Sequence, residues 1–141
     1  MEKKIFSLGL CVVFAAVAAH ADDIKFDLSK VPAASSKTGV TFDADIKPIF
    51  EKACFKCHGP ETEKPKGKFK AWTKENVLKG GESGAVVTAG DASKSPVLGM
   101  IAQATADEDL FMPPKDNKAK IAPLTKEQVG LVRAWVEQGA K

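Results

Sequence analysis

The 141-residue chain has no tyrosine and only one arginine, Arg133, among its twenty-one basic side chains. Nucleic-acid recognition draws on clustered arginine and lysine with aromatic platforms, so this composition speaks against that class of partner. Convincing runs of alternating apolar and polar residues are also missing, and Val86-Val87 is the single short extended candidate. A sheet-based fold is therefore not expected. Histidine is scarce, with two, His20 and His58, and cysteine numbers three, Cys11, Cys54 and Cys57.

The first of these histidines and the first cysteine fall in a leader. Lys3 and Lys4 precede an apolar run from Ile5 to Ala18, and Ala19-His20-Ala21 follows before Asp22-Asp23. This is the pattern of a secretory signal peptide, residues 1–21, with cleavage after Ala21. The run falls short of the roughly 20 residues that a membrane-spanning helix needs, so no span is expected after cleavage. Cys11 follows Leu10, where a lipoprotein signal has a small residue, and is removed with the leader. The remaining 120 residues suffice for one domain. Loss of Glu2, Lys3 and Lys4 lowers the formal charge from +3 to +2, which leaves no strong basic footprint. A periplasmic or otherwise exported protein is expected.

Residues 22–40, with Pro32, Ser35, Ser36 and Gly39, show no periodicity and read as an extended or flexible arm ahead of a domain at 41–141. From Asp45, a candidate N-cap, Ile46, Ile49, Phe50 and Ala53 mark one face of a helix that tolerates Pro48 in its first turn. Gly59 to Lys70 and Gly80 to Gly84 read as loops. The second lacks the lysine, the following Ser or Thr and the preceding strand of a phosphate cradle. Ser95-Pro96 predicts an N-cap and first helical position for a short helix with Val97, Leu98 and Ile101 on one side. Thr125 and Gln128 form a capping box, and Leu124 and Val129 sit where a hydrophobic staple closes. Val129, Val132 and Val136, with Leu131 and Trp135, give the last helix a broad apolar face, and Gly139 offers its stop. That face needs a partner, and the Ile46–Phe50 helix is the expected one, with Gly130 allowing close approach. The fold class predicted is mostly α, with long loops.

Cys54-Phe55-Lys56-Cys57-His58 is the C-x-x-C-H pattern of c-type haem attachment. Two thiols three positions apart can add to the two vinyl groups of one porphyrin, while the adjacent imidazole becomes an axial iron ligand. Other chemistries fit less well. Structural zinc needs four ligands, and the chain after cleavage offers two cysteines and one histidine. A thioredoxin-like pair belongs beside a βαβ pattern, which is not seen. A plain disulfide leaves His58 without a role.

His58 is the last histidine after cleavage, so the sixth iron position needs another residue. Met112 precedes Pro113-Pro114, whose fixed backbone suits a stiff loop holding a thioether against the metal. Met100 sits on the short helix, where methionine more naturally fills core space, so Met112 is preferred. Histidine–methionine ligation fills both axial sites and suits electron transfer. A displaceable sixth ligand would instead make a haem enzyme or small-ligand sensor, but no distal acid or base is evident. Trp72, Arg133 and nearby lysines are candidates for the haem propionates.

Phe42-Asp43-Ala44-Asp45-Ile46-Lys47-Pro48-Ile49-Phe50, then Cys54 to His58 with Gly59-Pro60, resembles the planctomycete-type cytochrome c domain. Leu78 to Gly84, Gly90 with the Ser95 region, Met112-Pro113-Pro114-Lys115, and Leu124-Thr125 to Trp135 with Gly139 continue the likeness, over about Val40 to Gly139. The resemblance implies the class I cytochrome c architecture, with terminal helices crossing near the edge of one covalent haem c. It implies His58 as proximal and Met112 as distal ligand, both on the metal, with Cys54 and Cys57 binding the cofactor covalently. An electron carrier rather than an enzyme is implied, served by c-type cytochrome maturation machinery and by redox protein partners. The family's module is often joined to other exported domains, so a free carrier and a haem subunit of a larger redox complex are both compatible with it.

Overall fold

The computed structural model describes residues 24–141; the leader assigned to residues 1–21, with its cleavage site, lies outside the described residues. The chain enters its first helix at Phe42, earlier than Asp45, where the sequence placed the cap. Thr41 holds the cap position with extended backbone, a π-helical turn spans Phe42–Ile46, and helix α1 runs Lys47–Ala53. Asp45 lies inside the turn instead. Its carboxylate accepts from the Thr41 N–H at 3.0 Å and pairs with Lys37 Nζ. An acid within the first turn serves the unpaired N–H groups from inside the helix, as a cap does from outside.

A single helical turn, α2 at Phe55–His58, follows directly. Helix α3, Lys74–Lys79, begins at Thr73, whose Oγ1 accepts from the Asn76 N–H at 3.2 Å. Helix α4, Pro96–Ile101, starts with proline in its first turn as expected, but Ser95 does not cap it through its side chain. The Ser95 hydroxyl is fully buried. It accepts from the Thr88 N–H at 2.9 Å and points toward the carbonyls of Asp91 and Thr88, cross-linking the loop ahead of the helix. Helix α5, Lys126–Glu137, carries the expected capping box between Thr125 and Gln128. It stops at Gly139 in a paired 5→2 and 6→1 pattern, with the Gly139 N–H on Val136 O at 3.0 Å and the Ala140 N–H on Trp135 O at 2.9 Å. Among the described residues there is no strand, and Val86 and Val87 are buried loop residues.

The core lies where the first helix meets α5. Phe42, Phe50 and Trp135 are all but inaccessible, with Phe42 edge-on to Phe50 at 6.1 Å and tilted against Trp135 at 5.7 Å. Burying each such side chain stabilises the fold by about 1.5–3 kcal/mol. The Lys141 carbonyl joins the two helices by accepting from Phe42 N–H and Trp135 Nε1, both at 2.9 Å.

Gly130 serves a different close approach from the expected one. A Cβ there would lie 2.6 Å from the Ala33 carbonyl oxygen, and the Ser35 N–H donates to Gly130 O at 2.9 Å. The residue on which α5 needs no side chain thus faces residues 33–35, not the first helix. Arg133 is also turned that way, pairing with Glu137 at 2.7 Å and donating to the carbonyls of Val31 and Pro32.

Candidate haem site

Cys54, Cys57 and His58 sit on one turn. The Cys57 and His58 N–H groups both donate to the Cys54 carbonyl, at 3.1 and 2.9 Å, which brings side chains three and four apart onto one face. Both thiols are free. Burial, with Cys57 beside it, pushes the Cys54 thiol up to about 12.

The His58 ring is oriented from behind. Its Nδ1 lies 3.1 Å from the Phe69 carbonyl, and because a carbonyl can only accept, Nδ1 carries the proton and Nε2 is left with its lone pair. Burial lowers the His58 pKa, opposed by its backbone hydrogen bonds to Phe69 and Lys66, so the neutral ring is favoured. The Phe69 ring packs edge-on to the imidazole at 5.4 Å, and the Ala71 N–H donates to the His58 carbonyl at 2.9 Å.

The loop Gly80–Gly84 supports this arrangement from the next layer. The Glu82 N–H donates to Gly67 O at 2.8 Å, and a Cβ on Gly81 would meet that same oxygen at 2.5 Å. The glycines let one backbone lie on another, and the supported segment, Lys66–Lys68, leads directly to Phe69. Sequence reasoning recognised the turn; its place behind the histidine depends on a contact between distant segments.

A cavity of about 550 Å³ opens beside the turn, lined by Cys54, Cys57 and His58 together with Met112, Pro113 and Pro114. A second, of about 210 Å³, shares Cys54, His58 and Met112 and adds Phe50, Met100 and Leu110. Met112 reaches both cavities, and Met100 lines the smaller one alone. Of the residues suggested for propionates, Trp72 and Arg133 line neither cavity; Lys56, Lys66 and Lys118 line the larger.

These residues fit a haem. An apolar space next to two thiols and an imidazole with a free Nε2 suits an apolar disc held by thioether bonds and an axial nitrogen. Among the described residues no group of three or more His, Cys, Asp and Glu side chains is arranged to hold a metal ion, so zinc finds no donor set there.

Residues 54–116 match the family model of planctomycete cytochrome C. That match supports a planctomycete-type cytochrome c domain over this stretch. The matched stretch takes in the C-x-x-C-H turn, the glycine loop and Met112. A cytochrome c domain implies haem c and redox partners, and Cys54, Cys57 and His58 fit covalent haem binding. The mostly helical, strand-free fold of the described residues agrees with it. No curated protein and no solved structure matches the chain. Among the described residues no helix is long and apolar enough to cross a membrane.

Proposed function

We propose that this protein is an exported electron carrier with one covalent haem, anchored on Cys54 and Cys57 and ligated by His58 and Met112. The observation that carries the reading is that the C-x-x-C-H turn and Met112 line the same apolar cavity. Haem bound there supplies a one-electron iron couple.

The protein's part is to hold and tune. The Phe69 carbonyl fixes the imidazole through Nδ1 and presents Nε2 in the form that binds a metal. Pro113 and Pro114 stiffen the backbone after Met112. If His58 and Met112 held the haem iron, the Met112 thioether would raise its potential and leave no iron position for substrates, which favours electron transfer over catalysis. Lys56, Lys66 and Lys118 along the cavity place positive charge where an acidic redox partner would approach. The signal peptide read from residues 1–21 supports export, the compartment in which covalent attachment keeps a cofactor from being lost.

The test is the absorption spectrum of the matured protein, ferric and reduced, with and without carbon monoxide. A low-spin haem with the weak far-red methionine–iron band, inert to carbon monoxide, is expected, and Met112→Ala should keep the haem yet bind carbon monoxide. If the parent binds carbon monoxide freely, the sixth position is open and the protein is a haem enzyme or sensor. An unchanged low-spin spectrum in Met112→Ala moves the ligand to Met100 or a lysine.

A further inference from the structure

Residues 24–27 carry no motif, yet they are fastened to the segment that bears Met100 and Met112. The Ala106 N–H donates to the Lys25 carbonyl at 3.2 Å, the Asp27 N–H donates to the Ala104 carbonyl at 3.3 Å, and Phe26 forms an isolated antiparallel bridge with Thr105. The Phe26 side chain occupies the space over Gly99, where an added Cβ would lie 2.3 Å from Phe26 Cβ and 2.5 Å from Cγ. Gly99 adjoins Met100, and the Met100 carbonyl accepts from the Met112 N–H at 3.0 Å. Ile24 lines the smaller cavity with Met100, Ile101, Leu110 and Met112. One short stretch of the arm therefore clamps the end of α4, walls the cavity, and lies one hydrogen bond away from the Met112 backbone.

We infer that residues 24–27 are a strap that positions Met112, with Phe26 over Gly99 as its anchor. The inference rests on the reading of Met112 as iron ligand. A loop bearing an axial thioether must resist displacement in both oxidation states, and the Met112 loop is bound to α4 through one backbone contact to Met100. With the strap seated, residues 102–106 are held on two sides, by α4 and by the arm. With it lifted, the turn that carries the Met100 carbonyl is free to shift, and Met112 with it.

A strap that merely adds stability would act like any other part of the arm. Val31 provides the comparison: it is 4% exposed, and its carbonyl accepts from Arg133 on α5, away from the methionine segment. The experiment compares the matured, full-length Phe26→Ala, Phe26→Leu and Val31→Ala proteins. Thermal unfolding, the far-red band and carbon monoxide affinity of the reduced form are the readouts. Apparent affinity follows the fraction of molecules with the iron position open, so Phe26→Ala should bind carbon monoxide about tenfold more tightly with a weakened band, and Phe26→Leu should return to within about threefold of the parent. Val31→Ala should lower the melting temperature and leave affinity and band unchanged. Parental affinity in Phe26→Ala, or an equal gain in Val31→Ala, overturns the strap. Should Phe26→Ala not fold, Gly99→Ala lifts the same ring from the opposite side, and parental affinity in that variant overturns it equally. If Met112→Ala stays as closed to carbon monoxide as the parent, the ligand reading itself fails, which the Phe26 variants alone would not reveal.

Discussion

The partly buried thiol of Cys54 makes a prediction about its reactivity in the folded, haem-free chain. Its pKa is pushed up to about 12 by burial first and by the neighbouring Cys57 second. Thiolate, not thiol, is the nucleophile; at pH 8 an ordinary thiol of pKa about 8.5 is about one-quarter ionised, whereas one near 12 is about one part in ten thousand. Iodoacetamide should therefore alkylate Cys54 in the folded, haem-free chain at least about a hundredfold more slowly than in urea. The margin below the full ratio leaves room for brief openings of the fold. The sign of the pH dependence is fixed by the same shift. Because the folded pKa is raised, the folded-state rate should climb about tenfold per unit from pH 8 to 11, while the rate in urea levels off above the ordinary thiol pKa. Trypsin cleaves after Lys56 and so separates the Cys54 and Cys57 peptides for mass spectrometry, with circular dichroism recording that the chain is helical. Labelling of Cys54 at pH 8 within about threefold of its rate in urea, with helicity retained, would refute the reasoning. Under the proposed function, the expected result would mean that Cys54 reacts more readily before the domain closes over it.

Two further outcomes follow from the same geometry. Cys54→Ala or Cys57→Ala alone should weaken covalent retention of haem, and the two together should abolish haem staining on a denaturing gel; staining that survives the double change removes the thioether assignment. Gly130→Ala, which in an open helix would gain about 1 kcal/mol of propensity, should instead destabilise the protein by about 1–2 kcal/mol. The new Cβ would stand 2.6 Å from the Ala33 carbonyl oxygen and force apart the Ser35–Gly130 hydrogen bond. A denaturant midpoint equal to or above the parent's would show that residues 33–35 yield without cost.

The features legible in the sequence were those whose partners lie within a turn of one another. The capping box of Thr125 and Gln128 closes over three residues, and the C-x-x-C-H turn needs only the local helix that its own backbone forms. Apolar periodicity likewise marked both helices that meet at Phe42 and Trp135. Helix α3 escaped notice because a single turn and a half buries only Val77, although Thr73 ahead of it was a readable cap. Where residue type was informative but the partner was distant, the expected partner was wrong. Gly130 and Arg133 were given to the first helix and to the cofactor, and both belong to the arm; Ser95 was given to its own helix, and its hydroxyl holds the preceding loop.

The same distinction explains the site. Cys54, Cys57 and His58 are proposed from their spacing, and Met112 from the prolines behind it, because the signals for them lie in their neighbours. What keeps them in place does not: Phe69 O on Nδ1, Gly81 against Gly67, and Met100 O on the Met112 N–H are contacts between segments eleven or more residues apart, most of them made by backbone atoms. Backbone groups have no residue identity, so a scan for reactive side chains passes over them. The glycine loop leaves a trace because close backbone packing excludes every other residue, and it is that steric requirement, not phosphate chemistry, that accounts for glycine at position 81.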